Sequence, residues 1–91
     1  MSIESKLEAA LKPAAHCRSS RDAEYTAALE ALRAVAMDLS RQGLGRQAIY
    51  ERFLAFDRRL QEQGRQVEQD ILEDGMDILS GYFAGRDWGI P

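Results

Sequence analysis

Apolar residues recur along this chain at spacings of three and four, which place side chains on one face of an α-helix. In the second quarter of the chain, for example, Leu29, Leu32 and Leu39 fall on one stripe. No segment shows sustained alternation of apolar and polar residues, so no β-strand is predicted. The periodic segments predict four helices and an irregular tail, over residues 2–12, 20–42, 46–63, 66–83 and 84–91 respectively.

Residues that begin or end helices lie between these segments. Pro13 disfavours helical geometry at the residue before it, so the first helix should end or kink there. Ser19 followed by Asp22 resembles a capping box at the start of the second helix. Gly43 and Gly64 can take the left-handed conformation that closes a helix. Amphipathic helices joined by short turns predict an all-α fold, a compact antiparallel bundle that forms one domain over residues 1–91.

The composition is that of a globular protein in a reducing compartment. Hydrophobic residues make up 45% of the chain and there are only two prolines, which excludes a disordered chain. Cys17 is the only cysteine, so no internal disulfide can form. The N-terminal residues lack the apolar run of a signal peptide, and no apolar stretch is long enough to span a membrane. We therefore predict a cytoplasmic protein without membrane contact.

Negative charge is concentrated near the C-terminus. Residues 1–65 carry eleven Lys/Arg against nine Asp/Glu, whereas residues 66–91 carry one Arg against six acids. At about 100° per residue, the acids of the fourth helix form one narrow stripe opposite its apolar residues. We expect this stripe to face solvent; its members are Asp70, Glu73, Asp74 and Asp77.

The acidic stripe has two main interpretations. The first is a solvated face that keeps the protein soluble. The second is a docking surface for a basic partner, which explains why no Lys or Arg lies between Glu68 and Asp77 although neighbouring acids repel one another. A metal site is a third interpretation, but the acids are expected to face outward and the only histidine is His16, in a predicted loop. No metal ligand and no cofactor is predicted.

Gly75 interrupts the fourth helix near the centre of its apolar face. A glycine there costs about 1 kcal/mol of helix propensity relative to alanine. We expect it to let another helix or an aromatic ring approach closely, and the candidate rings are those of Phe53, Phe56 and Trp88.

No constellation of residues supports catalysis. His16 and Cys17 are adjacent, but neighbours along the chain rarely face each other as a base and a nucleophile do, and no third residue orients them. No nucleotide-binding loop, zinc spacing or Ser/His/Asp arrangement is present. We predict no catalytic residue and no enzyme activity.

A nucleic-acid partner is not expected, although one segment keeps that alternative open. Residues 43–56 resemble the start of a helix-turn-helix, with Arg46 and Gln47 opening the second helix. Glu51 and Asp57 dilute the basic residues of this segment, and the pI of about 5.1 is low for a DNA-binding protein. Further arginines flank the turn at Gly64, where we expect them to balance the acidic helix; they are Arg58, Arg59 and Arg65.

The segment GLGRQAIYERFLAFDRRLQEQGRQVEQDILEDGMDILSGYF, residues 43–83, resembles the helical pair of some small bacterial immunity proteins. The shared pattern is a helix that ends in a glycine followed by Arg, then a helix with acids that closes on MD-I-L-x-G-aromatic. Such proteins neutralise the toxin domains of contact-dependent growth-inhibition systems or bacteriocins. The resemblance implies a basic toxin, a nuclease being one such class, as the partner, and inhibition without catalysis.

The leading hypothesis is a non-enzymatic immunity protein that binds its toxin through an acidic helix surface. We expect its partner-binding residues to be the acidic stripe, with Tyr82 and Trp88 at its margin. Tyrosine and tryptophan are included because they are enriched among interface hot spots. The alternative hypothesis is a structural or regulatory helical module that acts by self-association, as a homodimer, or by adaptor binding. It predicts apolar stripes on the second and third helices that are broader than one small core requires.

Overall fold

The computed structural model describes residues 2–13 and 23–81 together with Trp88. Its helices are α1 (Ile3–Leu11), α2 (Ala23–Arg41), α3 (Arg46–Glu62) and α4 (Gln66–Leu79). No strand occurs in these ranges, which confirms the predicted all-α bundle. The Cα radius of gyration of 12.1 Å matches the value of about 12 Å expected for a compact domain of this length. In the described part of the chain no helix is long and apolar enough to cross a membrane.

α1 begins and ends where the sequence predicts. The hydroxyl of Ser2 caps its first turn by accepting a hydrogen bond from the backbone N–H of Ser5 at 3.1 Å. The helix ends at Leu11, and the next residue, Lys12, donates its backbone N–H to the carbonyl of Ala9 in a tighter turn. Pro13 lies in this turn, and because its nitrogen carries no hydrogen it cannot add a further helical hydrogen bond.

Glycines close α2 and α3 with the same arrangement of hydrogen bonds. Gly43 takes a φ of +100°, which lets the backbone N–H of Leu44 reach back to the carbonyl of Leu39 at 3.2 Å. Gly64, with a φ of +69°, closes α3 through the corresponding bonds. The predicted ends of both helices are therefore confirmed, and the three-residue turn at Gly64 makes α3 and α4 antiparallel neighbours.

α4 is shorter than the sequence led us to expect. It ends at Leu79, whereas the predicted helix extended to residue 83. The physical reason is Gly81, which takes a φ of +78° and donates its N–H to the carbonyl of Ile78 at 3.1 Å, a helix-closing bond. The capping-box residues Ser19 and Asp22 lie outside the described residues.

The core lies between all four helices and is formed by the predicted apolar stripes. Its largest fully buried side chains are Phe53, Leu7, Leu11, Leu32, Leu39, Ile49, Leu60, Leu72 and Leu79. Val67, in the first turn of α4, does not belong to the core, since it is 43% exposed. Val67 is also the only large hydrophobic residue that is exposed in the described part of the chain.

Candidate functional site: the acidic surface of the fourth helix

Four carboxylates, Asp70, Glu73, Asp74 and Asp77, form what we call the acidic surface of α4. The opposite side of α4 is buried in the core through residues such as Leu72 and Leu79. Asp70 and Glu73 are exposed, as predicted, but Asp74 and Asp77 are half-buried. The expectation that the whole stripe points to solvent is thus correct for the first pair and wrong for the second. Asp74 lies at the edge of the stripe that meets Tyr25 of α2.

Asp74 ties α4 to α2. The phenolic hydroxyl of Tyr25 donates a hydrogen bond of 2.7 Å to its Oδ2. A hydrogen bond to a carboxylate is stronger than one between neutral groups, so this contact stabilises the bundle in addition to fixing the Asp74 side chain. Asp74 therefore serves the fold as well as the charge of the surface.

Glu73 lies on the other edge of the stripe, against α3. Its pKa is raised from the ordinary value, first by partial desolvation of the carboxyl group and next by repulsion from the carboxylate of Asp57. The two carboxyl groups lie within hydrogen-bonding reach, so that protonated Glu73 can donate to Asp57. Asp70 and Asp77 add smaller repulsions from α4 itself. The acidic surface therefore extends across the helix boundary to a fifth carboxylate.

Asp57 is the functional candidate that the sequence reasoning missed. It is only 6% exposed, although aspartate is rarely buried without a partner. A signal for its burial was present in the sequence, since Asp57 falls on the same helical stripe as Phe53 and Leu60. What a buried carboxylate at that position would face is not encoded in the spacing.

No described Lys or Arg forms an ion pair with any carboxylate of the acidic surface. Within that part of the chain, the side chains that donate hydrogen bonds to these carboxylates are Gln66, which donates to Asp70 at 2.7 Å, and Tyr25, which donates to Asp74. This lack of compensating cations distinguishes the acidic surface from Glu4, Glu8 and Asp38, each of which pairs with a Lys or Arg. Its negative potential is therefore not cancelled by its described neighbours.

The arginines around the α3–α4 turn are engaged mainly by α1. Arg59 pairs with Glu4, and Arg65 donates to both carboxylate oxygens of Glu8 at 2.6 and 2.8 Å. Arg65 also pairs with Glu68 in the first turn of α4. Among the described residues this is the one ion pair between these arginines and an acid of the fourth helix, as we predicted. The expectation that these arginines balance the acidic helix is thus wrong for Arg59 and correct for Arg65 only at the start of α4. Arg58 forms no ion pair with a described acid.

The ion pairs made by α1 lower the pKa values of the carboxyl groups that take part in them. The hydrogen bond from Arg65 is the largest cause that lowers the pKa of Glu8. The hydrogen bond from Lys6, at 2.6 Å, likewise lowers the pKa of Asp38. Glu73 differs from both because an acid, and not a base, faces it.

Gly75 provides the close approach that its position predicts. A Cβ atom placed on Gly75 would lie 3.3 Å from Cη2 of Trp88 and 3.3 Å from Cδ1 of Leu32. Of the three aromatic candidates, Trp88 is therefore the one that packs there, and Leu32 contributes the neighbouring helix. Gly75 lies on the buried side of α4 and Asp70 on the exposed side. The Trp88 ring that contacts Gly75 therefore lies away from Asp70. A contact of Trp88 with a partner stays a prediction, and Tyr82 lies outside the described residues.

The described residues offer little to a metal or a small ligand. They contain no group of three or more His, Cys, Asp or Glu side chains that could hold a metal ion. A shallow cleft of about 420 Å³ lies between α1 and α3, and its charged residues include Glu4, Glu8 and Arg59. These side chains already take part in ion pairs, which leaves the acidic surface as the candidate site with unbalanced charge.

Comparison with known proteins adds no assignment. No protein-family model matches the chain, and neither the curated proteins nor the solved structures contain a significant match to it.

Proposed function

We propose that this chain is a non-enzymatic protein-binding inhibitor, an immunity protein that neutralises a basic toxin by docking it on the acidic surface of α4. The observation that carries the proposal is the lack of any described Lys or Arg paired with that surface. The immunity role itself rests on the resemblance of residues 43–83 to the helical pair of such proteins.

The physics of association supports a recognition role for unbalanced charge. Complementary potentials speed the encounter of two proteins and select against partners of the wrong sign. Adjacent acids at helical spacing repel one another by a few tenths of a kcal/mol per pair, so their retention on one helix carries a cost in stability. A basic partner would remove that cost on binding. An inhibitor of this kind needs a rigid complementary surface and no catalytic group.

The alternative of self-association finds no such support. It predicted apolar stripes on α2 and α3 that are broader than one core requires. In the described part of the chain, the large apolar residues of both helices are buried or half-buried, and only Val67 of α4 is exposed. We therefore do not propose a homodimer.

The test compares two variants that differ only in where charge is removed. The surface variant carries Asp70→Asn, Glu73→Gln and Asp77→Asn; Asp74 is retained because Tyr25 bonds to it. The control variant carries Glu24→Gln, Glu51→Gln and Glu62→Gln, three exposed acids on other helices. Both variants have the same net charge and keep the core intact.

Each protein is tagged and used to capture partners from a lysate of the source cells at low and high salt. The proposal expects one basic protein, present in stoichiometric amount, that the wild type and the control retain and that high salt releases. The surface variant should bind it at least about tenfold more weakly, a loss of about 1.4 kcal/mol. The purified partner should be toxic or catalytically active, and adding the wild-type chain should suppress that activity. Equal binding by both variants, or a captured partner whose activity is unaffected, would overturn the proposal.

A further inference from the structure

A buried carboxylate oxygen without a hydrogen-bond donor lies beneath the acidic surface. Asp57 is 6% exposed, and no described residue donates a hydrogen bond to its Oδ1. Buried side-chain oxygens nearly always have a partner, so an orphaned one calls for an explanation. A second acid, Glu73, faces Asp57 and repels it when both carboxyl groups are ionised.

The charged groups that shift the pKa of Glu73 are all acids. Asp57 faces Glu73 from α3, while Asp70 and Asp77 act on Glu73 from α4. No described Lys or Arg pairs with any of these carboxyl groups. Only a proton or a cation from outside the described structure can therefore compensate the pair.

We propose that Asp57 and Glu73 form a receptor for one arginine side chain of the basic partner. The proposal rests on the proposed function and names the chemistry by which the acidic surface recognises its ligand. A guanidinium group offers five N–H donors in a fixed planar fork, which matches two neighbouring carboxylates better than the compact ammonium of lysine. A metal ion is a poorer occupant, because the described residues bring no third ligand to the site.

Glu73 is the outer half of this receptor and Asp57 the inner half. Glu73 is exposed, so an approaching guanidinium meets its carboxylate first. Oδ1 of Asp57 is closed to solvent in the free protein, so the proposal requires side chains at this point to move when the cation binds. The hydrogen bond formed there is charge-assisted and shielded from water, so it discriminates strongly between a cation and a neutral group.

Binding is coupled to the proton on the pair. The free protein holds a proton on Glu73 to a higher pH than an ordinary glutamate does, because burial and Asp57 disfavour its charge. A bound guanidinium favours the ionised carboxylates and displaces that proton. The midpoint for titration of Glu73 should therefore fall when the cation is present.

The probe is N-acetyl-arginine amide, added at millimolar concentration to the isolated full chain and followed by nuclear magnetic resonance of the side-chain carboxyl carbons. N-acetyl-citrulline amide, which has the same shape without the charge, is the neutral control. N-acetyl-lysine amide separates guanidinium from ammonium recognition. The arginine probe should shift the Asp57 and Glu73 signals and lower the titration midpoint of Glu73, the lysine probe should bind more weakly, and the citrulline probe should do neither.

Two variants with equal net charge locate the effect. Asp57→Asn should weaken binding of the arginine probe by about tenfold or more, because it removes one charge-assisted partner. Asp70→Asn removes one charge from the same surface but leaves the pair intact, and should weaken binding by less than about threefold, as expected for a screened surface charge. If Asp57→Asn fails to fold, Glu73→Gln, on an exposed side chain, replaces it with the same expectation.

Equal losses in both variants, or equal binding of arginine and citrulline probes, would overturn the receptor. Failure of the receptor and failure of the proposed function give different combinations of results. A partner whose binding depends on the acidic surface, combined with no arginine-specific effect at Asp57, removes the receptor alone. An arginine-specific site on a chain whose partner ignores the acidic surface removes the proposed function and leaves the receptor standing.

Discussion

Replacing Gly75 with valine should loosen the junction at which α4, α2 and Trp88 meet. A Cβ atom at this position would already lie 3.3 Å from Leu32 and 3.3 Å from Trp88, closer than the optimal carbon–carbon separation of about 3.5–4.0 Å. Both contacting atoms are the ends of side chains, so they can yield by a few tenths of an ångström. Gly75→Ala should therefore lie within about 1 kcal/mol of the wild type, since its gain in helix propensity offsets the tight contact.

Valine adds two methyl groups at the same crowded point. Overpacking of this kind costs about 1–3 kcal/mol. A chain of 91 residues is stable by only roughly 5–14 kcal/mol, so the loss is a sizeable fraction of the total. At about 4–8 °C per kcal/mol, a loss of about 2 kcal/mol lowers Tm by roughly 8–16 °C.

Trp88 is the only tryptophan, so its fluorescence reports on this junction alone. Gly75→Val should shift the emission to longer wavelength, because the displaced indole meets more water, and thermal unfolding should show the lower Tm. Ala34→Val, at an exposed position in α2, controls for the helix propensity of valine and should change neither quantity by much. Wild-type emission and Tm in Gly75→Val would refute the contact between Trp88 and α4.

The ion pairs and the acid pair should give pH dependences of opposite sign. Arg65→Gln should lower the free energy of unfolding at pH 7 by about 1 kcal/mol, a value discounted for solvent exposure, while Arg58→Gln at an exposed position serves as the control. Because Arg65 lowers the pKa of Glu8, this stabilisation is present above the unfolded-state pKa of about 4.3 and is lost as pH falls through the folded-state value. Glu73→Gln should stabilise the fold at pH 7, since burial and Asp57 raise the pKa of Glu73 and its charged form opposes folding. That gain in stability should diminish as pH falls through the raised pKa. Denaturant titrations over this pH range measure the free energy of unfolding of both variants. A loss of stability in Arg65→Gln that persists at low pH, or a gain in Glu73→Gln that grows there, would contradict these assignments.

The helices and their ends could be predicted from sequence because the deciding contacts are local. Gly43 and Gly64 close helices through bonds that span only a few residues, and the same chemistry at Gly81 ends α4 at Leu79. The sequence predicts a longer fourth helix because apolar residues continue the helical period beyond Leu79, at Tyr82 and Phe83. Local periodicity thus locates the four helices but overestimates the length of the last one.

The candidate site could be predicted only in part, because its remaining features depend on which helices meet. Spacing along α4 placed Asp70 and Glu73 on the exposed side, which the structure bears out. The hydrogen bond from Tyr25 to Asp74 joins residues 49 positions apart, and no local pattern specifies such a contact. The burial of Asp57 against Glu73 likewise follows from how α3 lies on α4.

The placement of α1 explains why the charges of the bundle separate. Glu4 and Glu8 lie one helical turn apart on α1 and therefore share a face, which meets Arg59 and Arg65 at the α3–α4 turn. These arginines are thereby neutralised at one end of α4, and the acids from Asp70 onward have no cation from that source.

Solubility alone does not account for what lies beneath those acids. An exposed stripe suffices to keep a protein soluble, and Asp57, at 6% exposure, adds almost nothing to the exposed charge. Leaving a buried polar group unpaired costs about 1–3 kcal/mol, more for a charged one, so the position opposes folding. A leucine at the same point of the Phe53–Leu60 stripe would extend the core without that cost. Solvation of the surface above it therefore does not explain the buried carboxylate, whereas the arginine receptor that we propose would.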